Sequence, residues 1–144
     1  MADELANANV NRSYSLAATS IAIFTFMLFF MYARFLSGEV NALLFQAALV
    51  VMGVATFSFV FASLYYYRSS LGGRMDEAER ALCSRRGDRF WLLGYTLLFL
   101  DQSLILFAIK LLAVALVWLA LWLVYLLFVI RYFPKVQTVR VHSR

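Results

Sequence analysis

Asp101, Gln102 and Ser103 form a run of polar side chains inside a long apolar stretch of the chain. Asp101 lies about eleven residues beyond Phe90, where that stretch begins. Keeping a carboxylate at such a depth in a bilayer costs about 2.5–3.5 kcal/mol on insertion scales. We therefore expect Asp101 to face the interior of a helix bundle, a water-filled pathway or a partner.

Two roles for Asp101 fit the sequence. In the first, the carboxyl group lies on an ion or proton path and binds and releases a proton. In the second it is structural, and it bonds to hydroxyl groups of neighbouring helices or pairs with a basic residue of another subunit. Lys110 is nine residues further on, about 13 Å along a helix, so it is too distant to pair with Asp101. Both roles remain open from the sequence.

Aromatic residues make a second pattern further along the chain. Trp118, Trp122 and Tyr125 follow i, i+4, i+7 spacing, so they share one face of a helix. Such a stripe inside an apolar segment is typical of helix packing or of a lipid-facing surface. It would also suit a contact with another membrane subunit, and we predict a helix-packing or partner face.

The chain carries few residues that could support other chemistry. Cys83 and His142 are its only cysteine and its only histidine, too few for an internal disulfide or a Cys/His zinc site. Phosphate-binding loops, nucleophile elbows and haem-ligating histidine pairs are absent from the sequence. We therefore expect no enzymatic activity, no cofactor and no metal site. Nucleic-acid binding is not expected either, because the basic residues flank apolar segments and belong to no folded soluble domain.

The elements that must position these residues are membrane spans. Hydrophobic residues make up 64% of the 144 residues and charged residues 15%, against about 45–50% and 25% in soluble proteins. A bilayer core requires roughly 20 apolar residues in a helix. The apolar region at 90–133 would form a helix of roughly 66 Å, about twice the bilayer core, so we predict two spans there. Lys110 is placed at the far membrane surface, with a tight turn around Ala108–Ala113.

The prediction divides the chain into seven segments and treats the first apolar run as a retained span rather than a cleaved signal peptide. These are a cytoplasmic N-terminal segment at 1–14, spans at 15–36, 42–66, 90–109 and 112–133, a cytoplasmic loop at 67–89 and a cytoplasmic tail at 134–144.

Basic residues give the predicted orientation. The loop at 67–89 and the tail are rich in arginine, whereas the two other connections carry only Arg34 and Lys110. Under the positive-inside rule, the loop and both termini are cytoplasmic. The arginines of the loop are Arg68, Arg74, Arg80, Arg85, Arg86 and Arg89. We predict a multi-pass protein of a plasma or inner membrane.

The basic loop also has helical periodicity. Met75, Ala78, Leu82 and Cys83 fall near one face, with acidic residues before them and arginines after them. This pattern predicts a short amphipathic helix before the third span. It could be a solvated connector or a helix that docks on anionic lipid or a partner.

The sequence thus predicts an all-α protein, an integral membrane four-helix transmembrane bundle with both termini cytoplasmic. Two functions are compatible with it. The first is an oligomeric channel or transporter-type protein with Asp101 in or near the pathway. The alternative is a non-catalytic accessory or assembly subunit of a larger membrane complex. The expected partners are the lipid bilayer and either further copies of the chain or other membrane subunits.

Overall fold

The computed structural model is all-helical. It describes the backbone of residues 2–71 and 75–142 and the side chains of residues 7–71 and 75–131. Four helices follow in chain order: α1 Ala2–Leu36, α2 Ala42–Ser70, α3 Glu77–Ala108 and α4 Leu112–His142. Each contains a segment long and apolar enough to cross a membrane.

The α2–α3 pair is built on a seven-residue repeat. In α2, Phe45, Met52, Phe59 and Tyr66 are buried at intervals of seven. The buried positions of α3 with the same spacing carry small or polar residues: Gly87, Gly94, Asp101 and Ala108. A period of seven keeps one seam of each helix facing its partner, as in an antiparallel coiled coil.

Helix α1 completes this core. Val10 packs with Ala62 and Tyr66 near one end, and Met27 packs with Phe45, Ala48 and Ala108 near the other. Helix α4 adds nothing to these two clusters among the described residues and packs mainly on α3. The all-helical fold with four apolar helices that the sequence predicted is confirmed. Within it, α1, α2 and α3 form the core and α4 is attached to one side.

The α1–α2 and α3–α4 turns begin in the same way. Glu39 N donates to Arg34 O and Gly38 N to Phe35 O, with Gly38 at φ 76°. Leu111 N donates to Leu106 O and Lys110 N to Phe107 O, with Lys110 at φ 66°. Both are Schellman motifs, in which a left-handed residue closes the helix.

The predicted short amphipathic helix is not a separate element. Helix α3 begins after Asp76, whose side chain accepts from Glu77 N, and it continues to Ala108 without a break at Gly87. Gly87 is held in the helix because the ring of Tyr66 packs directly over it. Arg74 of the predicted loop, and the side chains of the tail from residue 132 onward, lie outside the described residues.

Candidate functional site

Asp101 lies in the seam between α3 and α2. A Cβ added at Gly87 would meet Tyr66, and one added at Gly94 would meet Phe59, so these residues lie opposite each other. The two helices are antiparallel, so the next pair in this register is found seven residues earlier in α2 and seven residues later in α3. That pair is Met52 and Asp101. Asp101 is 0% exposed. The close packing of α2 against α3 therefore also encloses the carboxyl group of Asp101.

Helix α1 contributes small polar side chains to the same core. Ser13 and Ser20 are buried at 0% and 1% exposure, and they fall between the Val10 and Met27 layers. Their spacing of seven residues to each other and to Met27 is the sequence signal that could have revealed this inward face of α1. Sequence reasoning assigned Ser13 to a segment outside the first span and gave Ser20 no special role.

The Asp101 carboxyl group has no hydrogen-bond partner among the residues that the structure describes. Both of its oxygens are buried and accept no bond from the side chains and backbone of the described residues, and Ser13 Oγ is likewise unpartnered. Burying a polar group without a hydrogen bond costs about 1–3 kcal/mol in proteins, and an isolated charge costs far more. The packed arrangement is therefore suited to the neutral acid and poorly suited to the carboxylate.

Hydroxyl groups of α1 and α2 donate to backbone carbonyls of their own helices. Ser20 donates to Leu16 O, Thr56 to Met52 O and Ser58 to Val54 O, each within its own helix. Such back-bonding meets the needs of a hydroxyl in an apolar setting. The network of interhelical hydroxyl bonds expected for a structural Asp101 is absent from the described residues.

The two neighbours of Asp101 in sequence lie elsewhere on α3. Ser103 is buried and donates to Ala115 O of α4 at 3.3 Å, so it belongs to the α3–α4 contact. Gln102, which lies between Asp101 and Ser103 in the sequence, is half-buried. The side chains of Asp101, Gln102 and Ser103 therefore point in different directions, as expected for successive residues of a helix, which are about 100° apart.

The aromatic stripe of α4 faces α3 of the same chain. Trp118 Nε1 donates to Phe99 O at 3.0 Å, and Trp122 Nε1 donates to Thr96 O at 2.9 Å. The ring of Tyr125 packs on Phe99, with centroids 5.4 Å apart. Within the chain, this stripe packs against α3.

Polar contacts also close the core near residue 88. Tyr66 OH donates to Asp88 Oδ1 at 2.7 Å. The guanidinium of Arg12 lies 4.9 Å from the ring centroid of Trp91, in a cation–π contact between α1 and α3. These contacts were not predicted from the sequence, because they join residues far apart in the chain.

Within the part of the chain that the structure describes, no group of three or more His, Cys, Asp and Glu side chains could hold a metal ion. Among residues 7–71 and 75–131, Asp101 is the fully buried carboxyl group whose oxygens accept no hydrogen bond. Comparison with protein-family models, with curated proteins and with solved structures gave no match for the chain.

Proposed function

We propose that the chain is a multi-pass membrane protein whose four helices cross the bilayer, with both termini and the α2–α3 connection on the cytoplasmic side. The support is the length and apolarity of the helices, together with the arginines near the α2–α3 connection. Arginine and lysine close to spans are retained on the cytoplasmic side of a membrane. Arg34 and Lys110 near the opposite turns then lie at the outer surface.

We propose further that the protein is a channel or transporter-type protein in which Asp101 binds and releases a proton. The observation that carries this proposal is a fully buried carboxyl group whose two oxygens accept no hydrogen bond in the described structure. A structural aspartate would be expected to have partners. A partner residue from another subunit could not reach a side chain with 0% exposure without separating the helices.

The proposed step is a proton exchange coupled to helix movement. In the packed state the neutral acid lies opposite Met52, and Ser13 and Ser20 lie on the α1 side of the core. Loss of the proton creates a carboxylate that requires water, a cation or a hydrogen-bond donor. The charged form therefore favours separation of α3 from α2 and α1, and reprotonation favours closure. The pathway lies inside one protomer in this scheme, and self-association would stabilise the helices around it.

Proton flux across liposomes tests the proposal. Purified protein is reconstituted with a pH-sensitive dye inside the vesicles, and a potential is imposed across the membrane. We expect dye-reported proton entry with wild type, at least tenfold less with Asp101→Asn, and partial retention with Asp101→Glu. Gln102→Leu is the matched control, because it removes the adjacent polar group outside the seam. Equal flux in wild type and Asp101→Asn, or no flux in wild type, would contradict the proposal.

An accessory role in a larger membrane complex is the second candidate, and α4 favours it. The outward side of α4 is a continuous apolar surface that includes Val117, Leu121, Val124 and Phe128, all of them exposed. Purification from native membranes in mild detergent tests this role. A stoichiometric membrane partner that is lost with Val117→Lys would support it, whereas recovery of the chain alone or as a homo-oligomer would count against it.

A further inference from the structure

An apolar groove runs along the outside of the α2–α3 pair. It encloses about 450 Å³ and opens sideways from the helices. Its lining is almost entirely apolar, and its only hydroxyl group, that of Ser58, is engaged with Val54 O. The groove is lined by Val50, Gly53, Val54, Phe57, Ser58, Phe61, Phe90 and Leu93.

Gly53 contributes to the depth of this groove. A Cβ added at Gly53 would meet no atom within 4 Å, whereas one added at Gly87 or Gly94 would strike an aromatic ring. The missing side chain at Gly53 is therefore not required by packing within the chain. What it leaves is room beside α2 for an external group.

One end of the groove is closed by aromatic residues. Beyond that end, the sides of α2 and α3 that line the groove carry arginines. Phe90 closes that end by packing on Phe61 and Tyr65, with ring centroids 5.5 and 5.6 Å away. On α3, Arg86 and Arg89 lie one turn before Phe90 and Leu93, and therefore on the same side of the helix.

Helix α2 shows the same change from apolar to basic. Arg68 follows Phe61 by seven residues, which is two helical turns on the same side. Arg68, Arg86 and Arg89 are all exposed. Ion pairs to acidic side chains are absent for these three arginines in the described part of the chain. Their positive charges are therefore available to an anion at the groove's end.

The length of the groove matches one leaflet of a bilayer. From Val50 to Phe61 the helix rises about 16 Å at about 1.5 Å per residue. Half of a hydrocarbon core of about 30 Å is about 15 Å. An acyl chain that fills the groove would end near Phe61 and Phe90. Its glycerol and phosphate would extend beyond that end toward Arg89 and Arg86, with Arg68 about 10 Å further along α2 than Phe61.

We propose that this groove binds the acyl chain of an anionic phospholipid, with the phosphate held by Arg68, Arg86 and Arg89. The apolar lining and the open space at Gly53 accept the chain, and the exposed arginines select the charge of the headgroup. This site is separate from Asp101, which is enclosed between the helices and does not line the groove.

Native mass spectrometry of the full chain released from detergent micelles tests the site. The probes are phosphatidylglycerol and phosphatidylcholine with identical acyl chains. We expect preferential retention of phosphatidylglycerol by wild type. Arg89→Gln should weaken its binding about fivefold, since one basic residue near a membrane surface contributes about that factor. The triple variant Arg68→Gln, Arg86→Gln and Arg89→Gln should abolish the preference.

A second variant tests the groove itself. Gly53→Leu fills the open space and should weaken the binding of both lipids, whereas Val124→Leu on the exposed side of α4 and Arg131→Gln should change neither. Equal retention of the two lipids by wild type, or unaltered binding by Gly53→Leu, would overturn the proposal. It would also be overturned if Gly53→Leu changed only the oligomeric state, because a second copy of the chain would then occupy the groove.

Discussion

Helix α3 contacts α2 at repeated positions from Gly87 to Ala108, whereas its contact with α4 is smaller. On the α2 side, small residues recur every seven positions and large residues of α2 fill the space above them. On the α4 side, two indole N–H groups and the Ser103 hydroxyl donate to backbone carbonyls. In the most apolar part of each helix, 39% of residues are buried in α2 but only 6% in α4.

The two contacts of α3 differ in the interactions that stabilise them, and we expect them to have different roles. The α2 contact depends on shape, and it encloses Asp101 where none of the described residues donates a hydrogen bond to it. The α4 contact depends on hydrogen bonds to carbonyl oxygens, each of which has a second lone pair to offer. We therefore expect the α1–α3 core to determine stability and proton binding, and α4 to be easier to displace.

The largest change in stability is expected at the α2–α3 contact, where large residues of α2 pack on small residues of α3. The double variant Gly87→Ala and Gly94→Ala should destabilise the protein by about 4 kcal/mol, because each overpacked site costs about 1–3 kcal/mol. The added methyl groups would lie 2.9 Å from Tyr66 and 2.8 Å from Phe59. Unfolding by increasing SDS in mixed micelles measures the loss. Gly53→Ala is the control and should be neutral or stabilising by up to about 1 kcal/mol. If both variants lost the same amount of stability, the α2–α3 contact would not be more sensitive to added volume than the outer side of α2.

A smaller effect of opposite sign is expected at Asp101. Asp101→Val should stabilise the protein by about 2 kcal/mol in the same assay, because it removes a buried polar group that has no partner. Asp101→Asn keeps a polar group of the same shape and should gain nothing. A loss of stability in Asp101→Val would show that the carboxyl group makes favourable bonds in the folded protein, and the structural role would then be preferred.

The smallest effect is expected at the α4 contact. Trp122→Phe removes the hydrogen bond to Thr96 O and should cost about 0.6 kcal/mol, the average for interhelical bonds in membranes. Hydrogen–deuterium exchange should rise in α4 and stay constant in α2. Leu121→Phe, on the exposed side of α4, is the control. Faster exchange in α2 would mean that α4 supports the core directly.

Much of the fold could be predicted from composition and length. The four helices follow from apolar runs, because hydrophobicity and the thickness of a bilayer limit how such a chain can fold. The turn after α1 carries Gly38, which is a recognised helix-ending signal. The turn after α3 uses Lys110 in the left-handed region instead, so only the length of the apolar region indicated a break there.

The surroundings of Asp101 could not be predicted in the same way. Its position in an apolar run indicated burial, and the structure shows complete burial. Its lack of a partner depends on which residues of α1 and α2 lie opposite, and that depends on the register between helices. The sequence does contain a signal for this register, the seven-residue repeat of small or polar residues in α3. It predicts how α3 is aligned with α2 only when it is matched to the seven-residue repeat of large residues in α2.

The central claim is that Asp101 is held as a neutral acid in the core and exchanges its proton. Infrared spectroscopy of the reconstituted protein, with isotope-labelled aspartate, tests it most directly. At neutral pH we expect a carbonyl band of protonated aspartate free of strong hydrogen bonds, which titrates reversibly and is missing in Asp101→Asn. A wild-type spectrum without the protonated band, or one unchanged in Asp101→Asn, would contradict the account.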